Sequence, residues 1–285
     1  MTDASGVPPD WPQAHASRRV RDAHDWHVQE EGAGPLILLL HGSGGATHTW
    51  RGIWPLMTRH ARLVALDMPG QGFTRRLRRA REGIEETTED ILALMDREGW
   101  APDLVVGHSA GTAVALRLAQ ARPGPRVAGI NPALGEFPGA AGVVFPLIAG
   151  AIVANPLTTF ALSRLASPAR VARILRGTGS EIGAEGEALY GRLFARQGHV
   201  DATMTQMARW RRRPLRADLP RIAAPTLFVV GTNDRTVPPA VADEAAARMP
   251  DARVASLPGG HLVHEETPAP VADLLLGHLR AQSAA

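Results

Sequence analysis

The sequence predicts an α/β fold in which a mostly parallel, doubly wound sheet carries an inserted helical cap. Three observations lead there. Short apolar runs of strand length recur along the chain, helical patterns separate most of them, and the alternation stops between Ala133 and Pro225. Alternating strands and helices build parallel sheets, because each crossover lays a helix over a sheet face. A strandless interruption reads as an insertion, expected over the C-terminal sheet edge where open α/β sheets place their ligands.

In chain order, residues 1–20, with Pro8, Pro9 and Pro12, are expected to form a flexible N-terminus. His24 to Gln29 alternates, with Trp26 and Val28 on one face, as a half-exposed antiparallel edge strand would. Strands buried on both faces are expected at Leu36 to Leu40, Leu63 to Leu66, Leu104 to Val106, Val127 to Ile130, Leu227 to Val230 and Val254 to Leu257. Helical patterns cover Thr49 to Arg59, Glu85 to Glu98 ending at Gly99, Ala110 to Ala121, Pro239 to Met249 and Val271 to Arg280. The core is thus expected at 21–134 and 216–285, with a helical cap at 135–215. Within the cap, Gly142 to Leu165 is apolar and Ala169 to Trp210 more polar.

Composition narrows the function. At 285 residues and 45% apolar content, the chain can bury one large core. Without cysteine, thiolate catalysis, disulfides and cysteine-bound metal centres are excluded. The first thirty residues hold no continuous apolar run, so a secretory signal is not expected and a cytoplasmic location is. The pI near 10.6 reflects arginine at every strongly basic position, since the net charge is only +3, and nucleic acid is not an expected partner. Gly139 to Ala154 is shorter than the ~20 residues of a membrane span and is interrupted by Pro146.

Gly107-His108-Ser109-Ala110-Gly111 matches a nucleophile elbow, and its context agrees, with a strand before it and a helix after it. Glycines suit a backbone that turns sharply from strand to helix, because a Cβ at either position would crowd the strained serine. A serine hydroxyl needs a base, and in such elbows the chain order is serine, acid, histidine. His261, after the glycine turn Pro258-Gly259-Gly260, is the preferred base. His264 is the alternative, set against an ordinary helix-start or surface histidine. Asp234, in the loop after the Leu227 run, is the expected acid that fixes the imidazole tautomer, although it could instead only cap the turn before Pro238. Backbone N–H donors for an acyl oxyanion are expected from Ala110 and from Ser43 in His41-Gly42-Ser43-Gly44-Gly45. No Gly-Lys-Ser/Thr follows that loop, which argues against a phosphate-binding loop. Chemistry built this way needs no metal or cofactor.

Arg75-Arg76-Leu77-Arg78-Arg79 with Arg81, and Arg209-Trp210-Arg211-Arg212-Arg213, are read as solvated faces, with an acidic ligand, anionic lipid or protein as alternatives. Gly142 to Ala154 is read as cap core, with a peripheral membrane contact as the alternative.

Taken together, the His41–Gly45 loop, Asp67-Met68-Pro69-Gly70-Gln71-Gly72, the Ser109 elbow, Asp234 and Gly260-His261 resemble the α/β-hydrolase superfamily from about residue 20 to the end. Epoxide hydrolases and haloalkane dehalogenases fit less well, since they carry aspartate at the elbow. Gly129-Ile130-Asn131-Pro132-Ala133-Leu134, Leu175-Arg176-Gly177-Thr178-Gly179-Ser180 and Gly198-His199-Val200 resemble, more narrowly, the magnesium-chelatase accessory hydrolases of bacteriochlorophyll biosynthesis. That resemblance implies a role near magnesium insertion, with a hydrophobic or tetrapyrrole ligand and magnesium-chelatase subunits as partners, while the Gly142 to Ala154 patch and the arginine runs motivate a location peripheral to the inner or photosynthetic membrane. It implies either hydrolysis of an ester or other acyl group, or a non-catalytic carrier role on the same fold.

Overall fold

A computed structural model describes residues 6–78, 81–135, 156–165 and 167–281. Its strands are β1 (Ser17–Arg21), β2 (Asp25–Glu31), β3 (Leu36–Leu40), β4 (Arg62–Leu66), β5 (Leu104–His108), β6 (Arg126–Ile130), β7 (Thr226–Gly231) and β8 (Ala252–Leu257). They form one sheet in the order β1-β2-β4-β3-β5-β6-β7-β8. The β1–β2 and β2–β4 pairings are antiparallel and all others parallel.

Three expectations about strands are corrected. The His24 to Gln29 strand is not at the edge: β1 lies outside it, with Val20 opposite Trp26, and Trp26 and Val28 are fully buried. The chain joins the packed structure before residue 21, since Val7 and Trp11 are buried as well as Val20. Its Ser-Arg-Arg-Val-Arg sequence has one buried apolar residue, which leaves no period to detect, and charges of this kind commonly protect a sheet edge. Finally, β8 is the opposite edge and is half exposed instead of buried on both faces.

Side chains of the central strands alternate between two apolar layers. Leu38, Leu40, Val64, Leu66, Val105, Phe228 and Val230 pack on one side. Ile37, Leu39, Leu63, Ala65, Val106, Ala128, Ile130 and Val229 pack on the other. The first layer is closed by α2 (Ile84–Glu98) and α3 (Ala110–Ala121); the second includes Trp54 and Met57 of α1 (Trp54–Met57). The Thr49 to Arg59 helix is split into a 3₁₀ turn at Thr47–Trp50 and the short α1, separated around Gly52. α2 ends where Gly99 adopts φ 67°, a left-handed C-terminal cap.

Among the described residues, no strand lies between β6 and β7. The helices there are α4 (Pro156–Leu165), α5 (Pro168–Gly177), α6 (Gly183–Phe194), α7 (Gln197–Arg209) and α8 (Arg213–Asp218). Beyond β7 come α9 (Ala240–Ala246), α10 (Val263–Glu266) and α11 (Pro268–Arg280). The apolar segment Gly139 to Ala154, and Arg79, lie outside the described residues. No described helix is long and apolar enough to cross a membrane.

Strand order reverses between β3 and β5, because β4 lies on one side of β3 and β5 on the other. Such a switch point opens a crevice at the carboxyl ends of the two strands. The His41 loop leaves β3 there, and Ser109 follows β5 directly.

Candidate active site

Ser109 sits between β5 and α3 with φ 50° and ψ −114°, a conformation L-residues rarely adopt. Its N–H donates to the Ile130 carbonyl at 2.8 Å, and its own carbonyl accepts from Thr112 and Ala133, both at 3.2 Å. The flanking glycines are required, though not because they crowd the serine itself. A Cβ on Gly107 would lie 2.3 Å from the Gly111 carbonyl carbon, and one on Gly111 would lie 2.3 Å from the Leu40 carbonyl oxygen. The helix therefore packs directly against β3 and β5, with its N-terminus beside the serine.

The three residues expected to act together meet. His261 Nε2 is 3.0 Å from Ser109 Oγ, and His261 Nδ1 is 2.7 Å from Asp234 Oδ2. Asp234 also accepts from the N–H groups of Thr236 (2.7 Å) and Val237 (2.9 Å) through Oδ1. The turn-capping role and the histidine contact thus coexist, one on each carboxylate oxygen. All three residues are buried, with Ser109 9% exposed.

His264 does not reach Ser109. It is fully buried rather than on the surface, with Nε2 2.7 Å from Thr49 Oγ1 and its ring tilted against that of His108, centroids 4.4 Å apart. Burial, with His261 and Arg51 nearby, pushes His264 down to about 3. Burial, followed by the nearby His264 and His261, likewise holds His108 well below the usual imidazole range. The neutral His108 ring donates from Nε2 to the His261 carbonyl at 2.9 Å.

Asn131 joins the loops that carry Asp234 and His261. It lies at φ 45° just after β6 and is buried. Its Nδ2 donates to the carbonyls of Gly260 (2.9 Å) and His261 (2.8 Å), while its Oδ1 accepts from the Gly231 N–H at 2.7 Å. The sequence reading gave Asn131 no such role. Its only sequence signal is an asparagine directly after a buried strand, since asparagine tolerates left-handed backbone.

Among the described residues, neither the Ser43 nor the Ala110 backbone N–H donates to a protein acceptor. The loop bearing Ser43 comes close to the elbow: a Cβ on Gly42 would lie 3.0 Å from Ser109 Cβ. The same loop is tied to α7 by buried polar contacts. Ser43 Oγ donates to Gln206 Oε1, which also accepts from Gln71 Nε2 at 3.1 Å, and Gln71 Oε1 accepts from the Gly44 N–H at 2.8 Å. His199 accepts at Nδ1 from the Gly72 N–H (3.0 Å), leaving Nε2 to donate to the Gly44 carbonyl (3.2 Å). Burial and neighbouring His41 push His199 down to about 3, so it is neutral in this network.

The first arginine run is used inside the fold. Arg76 pairs with Glu82 and with Asp201 of α7, and Arg81 pairs with Asp90 and Glu89. These contacts give Arg76 and Arg81 partners within the fold, whereas Arg75 and Arg78 are exposed, as a solvated face would have them.

A crevice at the sheet switch point, a serine on a strained elbow and two adjoining loops place the chain in a recognisable class. It belongs to the α/β hydrolase fold family, whose model matches residues 35–268. The chain is 42% identical over 267 residues to the magnesium-chelatase 30 kDa subunit of Rhodobacter capsulatus, covering 92% of this chain and 94% of that protein. It is 31% identical to the dihydrolipoyllysine-residue acetyltransferase component of the acetoin cleaving system of Pseudomonas putida, over 88% of this chain and 64% of that protein. In fold it is similar to the enol-lactonase of Burkholderia xenovorans LB400 (TM-score 0.73, 22% identity, 90% and 97% of the two chains). It is also similar to an α/β hydrolase fold protein of Burkholderia ambifaria (TM-score 0.77, 23% identity, 92% and 97%).

Proposed function

We propose that this protein is a serine hydrolase acting on an ester or other activated acyl group of a hydrophobic substrate, in association with the magnesium-chelatase step of bacteriochlorophyll biosynthesis. The observation that carries the chemical part is the continuous chain from Asp234 through His261 to Ser109 Oγ, beside two undonated backbone N–H groups. In this reading, His261 Nε2 takes the hydroxyl proton as Ser109 Oγ attacks the carbonyl carbon. The resulting oxyanion accepts from Ser43 and Ala110, and the N-terminus of α3 adds favourable potential. As the tetrahedral intermediate collapses, the bond to the leaving group breaks and His261 returns the proton to it. Water, deprotonated by His261, then attacks the acyl-serine, the ester bond to Oγ breaks, and the proton returns to Ser109. Asp234 holds the Nδ1–H tautomer throughout and stabilises the imidazolium.

The likeness to a protein named as a magnesium-chelatase subunit supports the pathway assignment and a chelatase subunit as partner. It also favours a second reading, in which the fold serves as a tetrapyrrole carrier or chelatase accessory without using Ser109.

Wild type and Ser109→Ala treated with a fluorophosphonate, followed by intact mass measurement, separate the two. One adduct on wild type and none on the variant is expected. No adduct on folded wild type removes the hydrolase reading. Pigment synthesis in a deletion strain carrying Ser109→Ala tests the pathway role: full restoration by the variant would leave the carrier reading standing.

A further inference from the structure

Six large apolar side chains are exposed among the described residues, and four of them (Leu157, Phe160, Leu165 and Ile174) lie on the consecutive helices α4 and α5. Among the side chains of α4 that are described, the large apolar ones face outward and two hydroxyl groups face inward. Thr159 and Ser163 are buried, 1% and 6% exposed, whereas Leu157 is 73%, Phe160 44% and Leu165 55% exposed. A helix packed on a core normally turns its apolar stripe inward, because that removes apolar surface from water. On α5, Val171, Ala172 and Leu175 pack inward, while Ile174 stands out at 64% exposure, directly after the exposed Arg173 and one turn beyond the exposed Arg170.

The charge on these helices has one sign. Between Glu136 and Glu181 the sequence contains four arginines and no aspartate or glutamate. Arg176 pairs with Glu187. Arg164, Arg170 and Arg173 have no acidic partner among the described residues. The cations are interleaved with the apolar groups: the Arg164 guanidinium lies 5.2 Å from the centre of the Phe160 ring, and Arg170 donates to the Leu165 carbonyl at 3.0 Å. Protein–protein interfaces also enrich arginine and aromatic side chains, so the occupant is set here by charge. A patch whose cations Arg164, Arg170 and Arg173 meet no carboxylate among the described residues, interleaved with apolar side chains, matches a bilayer surface, where the apolar groups enter the headgroup–acyl boundary and the arginines meet anionic headgroups.

We propose that α4 and α5 form a docking face for an anionic lipid bilayer, which holds the protein peripherally. This inference does not rest on the chemistry of Ser109.

The full chain is sedimented with vesicles of phosphatidylcholine alone and of phosphatidylcholine mixed with phosphatidylglycerol, at low and high salt. Wild type is expected to bind the mixed vesicles at low salt and to bind phosphatidylcholine weakly. The triple variant Arg164→Glu, Arg170→Glu, Arg173→Glu is expected to bind on the order of a hundredfold more weakly, since each arginine near an anionic surface contributes roughly a fivefold factor. The double variant Phe160→Glu, Ile174→Glu is expected to lose at least about tenfold through its apolar contribution. All five side chains are exposed and far from the elbow in sequence, so circular dichroism and fluorophosphonate labelling serve as controls for folding. Absence of wild-type binding at low salt, equal binding to both vesicle types, or full binding by the folded variants overturns the proposal. Loss of self-association in the variants without any lipid binding would assign the face to a second copy of the chain and also overturn it.

Discussion

The position of His261 is tied to Asn131, a residue with no hydrogen bond to the Ser109 hydroxyl or to Asp234. Its amide holds the Gly231 N–H at the end of β7 and the carbonyls of Gly260 and His261 on the next loop. Asn131→Gly preserves the left-handed backbone but removes three buried hydrogen bonds. At about 1 kcal/mol for each bond, a loss of about 3 kcal/mol in unfolding free energy is expected, measured by urea titration. Asn131→Asp keeps an acceptor for Gly231 but turns a carboxylate toward two carbonyl oxygens. It should therefore be less stable than Asn131→Gly at neutral pH and recover in acid, where the carboxyl can be protonated and donate. Equal stability of the two variants across pH would mean that the amide does not clamp these loops. Given the proposed chemistry, both variants should also slow fluorophosphonate labelling of Ser109, because a displaced imidazole is a poorer base.

Between elements, the decisive contact is α7 against the loop after β3. Gln206 receives Ser43 Oγ, and His199 receives the Gly72 N–H while facing the Gly44 carbonyl, so an insertion helix fixes the orientation of the Ser43 N–H. Given the proposed chemistry, Gln206→Ala is expected to lower kcat for an activated ester by roughly tenfold to a hundredfold with little change in KM, since a displaced oxyanion donor is felt in the transition state more than in the bound ester. Ser43→Ala keeps the backbone donor but loses the same tether. The double variant should be no slower than the slower single variant, and additive losses would show that the contact is not shared. This coupling also explains what could be read from the chain. The elbow, Asp234 and His261 were legible because each follows a buried strand directly and carries its own local signal of glycines or turn residues. Gln206 and His199 were not, because their partners are remote in sequence and no periodicity reports a contact between an insertion and a loop. His264 stands at a helix start as expected, but its burial was hidden for the same reason, since its partner Thr49 is remote in sequence. The first strand escaped because one buried valine among arginines gives no alternation to follow.

For the molecule as a whole, the same buried histidines that furnish these networks make the fold sensitive to acid. Burial holds His41, His48, His108, His199 and His264 below the usual imidazole value of 6.5, the last two at about 3. Between pH 6.5 and the lowered folded-state values, the unfolded chain binds these protons and the folded chain does not, so stability falls as pH falls. Each such histidine contributes about 1.4 kcal/mol per pH unit. Glu265 acts in the opposite direction, because burial raises its pKa above 4.5 and protonation then favours the folded form. Several histidines outweigh one carboxyl, and Tm is expected to drop steeply from pH 6.5 to pH 5. His48 isolates the effect. It is fully buried, its ring packs 5.1 Å from Trp11 and 4.6 Å from Tyr190, and neither of its nitrogens has a hydrogen-bond partner among the described residues. His48→Phe keeps an aromatic ring in that space while removing the buried polar atoms and the proton that the unfolded chain would bind. It should raise stability by about 2 kcal/mol at pH 5 and by less at pH 7.5, and reduce proton uptake on unfolding by one. A stability difference independent of pH would mean that His48 binds its proton as readily in the folded protein as in the unfolded chain, and that burial does not suppress its charge.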